Sequence, residues 1–327
     1  YMRNSFLLLF FGVICCGCAD KEQNSASQES HIANSKESVK TKQPMADLIV
    51  HNAKIVTVDK DFSIAEAVAI KDGKFLLVGS EKRVLQSTGT STRMVDLGGR
   101  TILPGFNDTH SHLVKMGINL PATVDLSKVT SITDIQKVIA QRVEKLDKGE
   151  WIFSEGGWWE FMLDDNRLPN RHDLDEVSLQ NPVALRGGHY FIVNSLAMEH
   201  VGYTKSSEDP PGGEIWRDED GEPTGFLLRA AREPVLKFFP KLSRKEQLDG
   251  IRQAIRRVNS WGITSLREAG GSKEQVEMLR TLYENGEMTV RVDWAYDIDP
   301  NTPEVEIDAV LEALGSPGQQ WGYGMFR

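Results

Sequence analysis

His110 and His112 stand two residues apart in the stretch 101–113, TILPGFNDTHSHL, where an apolar run reaches Pro-Gly-Phe ahead of the two imidazoles. On an extended strand, side chains at i and i+2 project to one side, so both rings would face a single cavity. Neutral imidazole ligates zinc, iron or nickel well, and two such groups on one rigid strand lose little entropy on binding. The spacing alone is a weak signal, and Asp108 beside it reads as a group that orients the turn through hydrogen bonds rather than as a ligand. Among the remaining histidines, His189 follows Gly187-Gly188 at an expected strand end, as a pocket residue or a hydrogen-bonded core imidazole. His31, His51, His172 and His200 sit in polar or helical surroundings and read as surface residues. Glu268 closes an apolar run, as a strand-end carboxylate facing a site or as part of a solvated loop. Trp158, Trp159, Tyr190 and Phe191 could line an apolar pocket or simply fill a core.

The elements that must position these groups follow from the hydrophobic period. Leu48–Val50, Lys54–Val58, Ala67–Lys71, Phe75–Val78 and Met94–Leu97 are short β-rich runs. Asp72-Gly73 marks a tight hairpin between the third and fourth. Past residue 100, Thr133–Leu146 carries Ile135, Val138, Ile139, Val143 and Leu146 on one helical face. Trp151–Ser154 and Val183–Leu185 read as buried strands. Ser243 with Glu246, and Ser272 with Gln275, are capping boxes that open two helices, with a strand at Ile263–Leu266 between them. A strand at Thr289–Trp294 and a helix at Glu304–Leu314 complete the series. Helices alternating with short apolar strands imply parallel βαβ units. The Pro-, Gly- and acid-rich stretch 209–225 interrupts them as a small hairpin or a surface turn.

The 327 residues carry 38 basic and 47 acidic side chains, a formal charge of −9, which argues against a nucleic-acid partner because phosphate contacts need clustered cations. All three cysteines, Cys15, Cys16 and Cys18, lie in the first twenty residues, so the body has neither disulfides nor thiolate ligands. Arg3 and the apolar run Phe6–Ile14 form a secretory signal that ends on Gly17-Cys18. That ending resembles a bacterial lipobox with Cys18 as the lipidated residue, and Ala19 after it does not favour inner-membrane retention. An uncleaved anchor or a simple secretory signal is the plainer reading. Residues 19–45 are polar enough to remain a flexible tether.

The β-rich module, Gly98-Gly99-Arg100 and then PGFNDTHSH closely resemble the amidohydrolase superfamily. GWWE (157–160), RGGHYFIVN (186–194), GGEIWRDEDGEPTG (212–225) and GITSLREAG (262–270) resemble motifs of amidohydrolase family 3, the YtcJ-like branch that includes N-substituted formamide deformylases. The resemblance covers 47–327. It implies an α/β fold: a TIM-like (β/α) barrel over 101–327, preceded by a small β-sandwich module over 46–100, a tether over 19–45 and a lipoprotein signal over 1–18. It implies a divalent metal, zinc above all, as one or two ions held by His110 and His112, with Trp158, Arg186 and His189 toward the substrate. The activity implied is hydrolysis of a carbon–nitrogen bond, other than a peptide bond, in a small-molecule amide. Homo-oligomers and an outer-membrane location facing the periplasm, through the lipid on Cys18, complete the picture.

A barrel of this kind takes eight strands and roughly 250 residues. Five candidate strands follow residue 100, ending near His112, Glu155, Arg186, Arg267 and Tyr296. In the resembled family an active-site lysine, two further histidines and the general-base aspartate would come beyond Arg327, so the expectation is an incomplete barrel, inactive alone. Two other readings are a non-catalytic surface lipoprotein that uses the barrel for binding, and an ester or lactone hydrolase built on the same metal site.

Overall fold

The computed structural model describes residues 44–298 and 302–314, so Cys18 and the signal and tether lie outside the described residues. The chain divides into two compact units, one of residues up to Asp108 with Ser260–Ser265, the other of Thr109–Asn259 with the residues from Leu266 onward. Among the described residues no helix is long and apolar enough to cross a membrane.

In the first unit, β1 (Leu48–His51), β2 (Lys54–Val56), β3 (Ile64–Ala65), β4 (Ala67–Lys71), β5 (Lys74–Gly79), β6 (Arg93–Asp96) and β7 (Thr101–Ile102) form two small sheets, ordered β5-β4-β1-β6 and β3-β2-β7, with α1 (Glu81–Val84) between strands. Strand alternation sorts the apolar residues onto two faces. Ile49, Ala67 and Ala69 pack with Val84 of α1, while Val50, Val68 and Ile70 join Ile55 and Ala65 of the other sheet. The turn at Asp72-Gly73 falls where the sequence puts it, with both residues at positive φ and Lys71 paired to Lys74.

The second unit holds β8 (Phe106–Ser111), α2 (Leu113–Gly117), β9 (Thr123–Val124), α3 (Ile132–Val143), β10 (Ile152–Ser154), α4 (Arg171–Asp175), β11 (Val183–Arg186), β12 (Tyr190–Val193), α5 (Ser195–Val201), β13 (Gly213–Arg217), β14 (Pro223–Arg229), α6 (Glu233–Leu236), α7 (Arg244–Ser260), β15 (Ile263–Ala269), α8 (Lys273–Glu284), β16 (Arg291–Ala295) and α9 (Glu304–Leu314); β8 and β15 begin among residues of the first. The strands expected near Glu155 and Arg186 do not share a sheet with the histidine strand. They belong to a six-stranded sheet ordered β13-β14-β12-β11-β10-β9, whereas β8 lies in a three-stranded sheet ordered β16-β15-β8.

The expected parallel rhythm holds for β9, β10 and β11, then gives way: β11, β12, β14 and β13 run antiparallel. The cause is local. Gly187-Gly188-His189 folds β11 straight back into β12, with the Gly187 N–H donating to the Tyr190 carbonyl at 3.0 Å, so no helix can intervene. The stretch 209–225 supplies the hairpin of β13 and the start of β14, extending this sheet rather than lying on the surface as a loose turn. Alternation again makes two cores. Ile152, Leu185 and Ile192 face α3 and α4 with Leu126 and Ile139, while Phe153, Ala184 and Phe191 face Met198, Leu227 and Val235.

Two glycines set close approaches. A methyl at Gly105 would come within 2.2 Å of the Thr264 side chain, so the turn into β8 needs a bare backbone beside β15. A methyl at Gly250 of α7 would lie 2.1 Å from the Gly117 carbonyl at the end of α2, and one at Gly117 3.1 Å from Ala254, so these helices touch nearly backbone to backbone. Both expected capping boxes are formed, with Ser243 and Glu246 bonded reciprocally at the start of α7 and Ser272 and Gln275 at α8.

Asn194 ties the six-stranded sheet to its helices. It is fully buried, and its side-chain oxygen accepts from Val183 N–H and Ala197 N–H, both at 3.0 Å. Its amide donates to the carbonyls of Ser178 and Asn181 at 2.8 and 3.0 Å. Replacing it removes the partner of three buried backbone groups, the N–H of Val183 and Ala197 and the carbonyl of Ser178, while the Asn181 carbonyl keeps the Ser178 hydroxyl at 2.7 Å. Asn194→Ala is therefore expected to lose about 3 kcal/mol in urea unfolding monitored by far-UV circular dichroism. A loss below about 1 kcal/mol, the scale of one ordinary cap, would show that those partners find substitutes.

Candidate functional site

His110 is the fifth residue of β8, and His112 is the N-cap of α2, one residue past the end of the strand. The backbone turns at His112 (φ −124°, ψ 42°), yet the two rings stay together, centroids 5.2 Å apart and planes perpendicular. His110 is exposed and His112 half-buried. The Nδ1 atom of His112 is buried and has no hydrogen-bond partner. Burial first, then the neighbouring His110 and Lys115 charges, hold the His112 imidazole below the ordinary histidine value, with Asp297 opposing. It is therefore neutral at pH 7, the state in which a ring nitrogen offers its lone pair to a cation. The residues present thus suit a divalent metal as part of a donor set. Among the described residues no group of three or more His, Cys, Asp or Glu side chains converges to hold one, so the pair is two donors of the three or more such sites take.

Two carboxylates hold the segment carrying His112. Glu268 of β15 is fully buried and accepts from the backbone N–H of Val114 at 3.1 Å and of Lys115 at 3.5 Å, in the first turn of α2. Burial pushes its carboxyl up to about 7 even against these hydrogen bonds. Beyond α2, the Asn119 amide donates to Glu155 at 2.7 Å, and Arg186 of β11 donates to the other Glu155 oxygen at 2.9 Å. Glu155 is buried, and desolvation raises its carboxyl above the usual range despite Arg186 and Asn119. Lys115 pairs with Asp297, which follows β16, at 3.7 Å.

The sequence-expected substrate residues divide. Arg186 lies close enough for its charge to reach His112, with its guanidinium engaged by Glu155. His189 is exposed in the β11–β12 turn, where its carbonyl accepts from Arg229 N–H at 2.8 Å. Trp158 is only 1% exposed and packs in the core with Ile135, Leu174 and Leu185. The indole that reaches solvent is the next one, Trp159, stacked on the exposed Phe161. Sequence reasoning missed Glu155, Asn119 and Asp297. Glu155 had a signal, an acid directly behind a buried strand; Asp297 likewise follows β16; Asn119 had none.

The chain matches the amidohydrolase family over residues 93–324. It belongs to that family. It is 35% identical over 228 residues to Protein LONG AFTER FAR-RED 3 of Arabidopsis thaliana (69% of this chain, 39% of that one), and 32% identical over 231 residues to the putative amidohydrolase YtcJ of Bacillus subtilis (70% and 42%). It is also 35% identical over 191 residues to the N-substituted formamide deformylase of Arthrobacter pascens (57% and 35%). The chain therefore spans only about two fifths of the length of these relatives. Its fold is that of a solved metal-dependent hydrolase of Pyrococcus horikoshii, with a TM-score of 0.52 at 22% identity over 85% of this chain and 52% of that one. Within the family's span fall both histidines, Glu155, Arg186 and Glu268.

The raised Glu268 carboxyl sets a pH dependence. The folded chain holds that proton more tightly than the unfolded one, so stability is complete below the ordinary glutamate value near 4.5 and falls as pH rises toward about 7. With chelator present, unfolding free energy in urea is expected to drop by roughly 2–3 kcal/mol between pH 4.5 and 8 from this group. Glu268→Gln, which mimics the protonated acid, is expected to flatten that slope and to be the more stable protein at pH 8; an unchanged slope would assign the titration elsewhere.

Proposed function

We propose that this chain carries the first two metal ligands of a hydrolase that cleaves a carbon–nitrogen bond, other than a peptide bond, in a small-molecule amide such as an N-substituted formamide. What carries the reading is the His110–His112 pair: two imidazoles 5.2 Å apart, one with a buried, partnerless nitrogen, in a chain of the amidohydrolase family. The names of its relatives, a formamide deformylase and a putative amidohydrolase, agree with that bond type. A divalent ion, zinc by preference, supplies Lewis acidity toward a carbonyl and acidifies water. His110 and His112 hold it, and the burial that keeps the His112 ring neutral keeps it competent as a ligand. Arg186, kept in place by Glu155, orients the substrate from the end of β11, with His189 on the adjoining turn. Trp158 shapes that region from within the core. In fold, we take β8, β15 and β16 as the opening strands of a (β/α) barrel and the small sheets of residues 46–100 as part of a β-sandwich module, with homo-oligomers as the assembled form.

The test is metal content after stripping and reloading with zinc. His110→Ala and His112→Ala are each expected to lower bound zinc by about tenfold or more while the far-UV spectrum is unchanged. Equal zinc in both variants and the parent would reject the site. A panel of N-substituted formamides and lactones, assayed on a protein that supplies the remaining ligands, then assigns the bond.

The location follows from a different part of the chain. Cys18, outside the described residues, is proposed as the lipid-bearing residue that anchors the protein in a bacterial envelope, on the outer membrane facing the periplasm. Cys18→Ala is expected to move the protein from the membrane fraction to the soluble one on fractionation; retention in the membrane would count against lipidation.

A further inference from the structure

An N-cap residue ordinarily closes the first turn of its helix with its own side chain, and Ser, Thr, Asp and Asn do this well. His112 occupies that position at α2 and makes no side-chain cap. The first-turn N–H groups, those of the buried Leu113 and Val114 among them, would then need another acceptor, because an unpaired buried donor is costly. Glu268 supplies the missing acceptor from a different strand. Its carboxylate meets Val114 N–H and Lys115 N–H, of the second and third residues of the helix. The consequence for the site is direct. Because another residue closes the turn, the His112 ring is not drawn back onto the backbone, and its Nδ1 remains unbonded beside His110.

We propose that Glu268 is the positioning residue of the histidine pair: by bonding the first-turn N–H groups of α2, it sets the backbone turn that presents the His112 ring to a metal. The inference rests on reading the pair as metal ligands and adds a residue outside it. Its burial fits this role better than a solvated loop, because a fully buried carboxylate held on two backbone donors has no freedom to drift. Glutamine keeps one acceptor oxygen at the same reach, alanine keeps none, and aspartate keeps the charge but falls one methylene short.

The experiment compares Glu268→Gln, Glu268→Ala and Glu268→Asp in three measurements on the whole chain: near-UV circular dichroism for packing, zinc affinity by competition with a chromophoric chelator, and the His112 ring resonances of the metal-free protein by NMR. Positioning predicts that Glu268→Ala and Glu268→Asp weaken zinc by about 10- to 100-fold, a size typical of groups that orient ligands, and shift the His112 ring signals more than those of His110. Glu268→Gln should stay within about threefold of the parent, since its remaining oxygen can still accept. A folded Glu268→Ala that binds zinc like the parent with unmoved His112 signals would overturn the proposal. Should Glu268→Ala fail to fold, Glu268→Asp decides by the same criteria. If the parent itself binds no zinc through His112, the metal reading fails, and the ring signals of the metal-free variants still judge the positioning role.

Discussion

His112 stands where the chain leaves an extended strand and enters a five-residue helix, and that change of direction governs the site. A strand would carry the i, i+2 pair by its own geometry; a turn would not, because the second ring then depends on how the backbone bends. The bend is held by hydrogen bonds from α2 to a carboxylate in β15. A helix this short has almost no stability of its own, since nucleation costs more than one turn of hydrogen bonds returns. Its position is therefore imposed from outside, by Glu268 at its start and by Asn119, Glu155 and Arg186 beyond its end.

This arrangement spends buried charge on geometry. Glu155 and Glu268 are both sequestered from water, and in both desolvation outweighs the hydrogen bonds and, for Glu155, the ion pair that oppose it. Buried ionisable groups seldom stabilise a fold in net terms. Their use here is to give the bend and the neighbouring guanidinium one arrangement each, which apolar contacts, being non-directional, specify less sharply.

Much of this was legible in the sequence. The hairpin at Asp72-Gly73, the capping boxes at Ser243 and Ser272, the apolar face of α3 and the strands around Phe153, Leu185 and Leu266 follow from local chemistry and occur within a few residues of where period and turn residues put them. The histidine pair was visible from spacing, although the reason for its proximity was not: His112 lies off the strand. Sheet membership was not legible either. Short apolar strands such as β8 and β10 look alike in sequence, and only tertiary pairing sends one beside β15 and the other beside β11. Trp158 and Trp159 are adjacent and chemically identical; which one is buried depends on the direction each leaves the backbone after β10. Glu155 and Glu268 were hardest to weigh, because an acid behind an apolar run reads equally as a solvated strand end.

The contact between Gly117 and Gly250 carries an implication for how mutations in this protein should be read. Gly117, at the far end of the helix whose N-cap is His112, meets Gly250 of α7 nearly main chain to main chain, so at that point there is no flexible side chain to yield. A methyl group at position 250 would lie 2.1 Å from the Gly117 carbonyl and 2.8 Å from the Pro121 ring, so the backbone itself would have to give. A substitution at position 250 would thus act through the main chain at the end of α2, from a long helix that carries none of the candidate site residues.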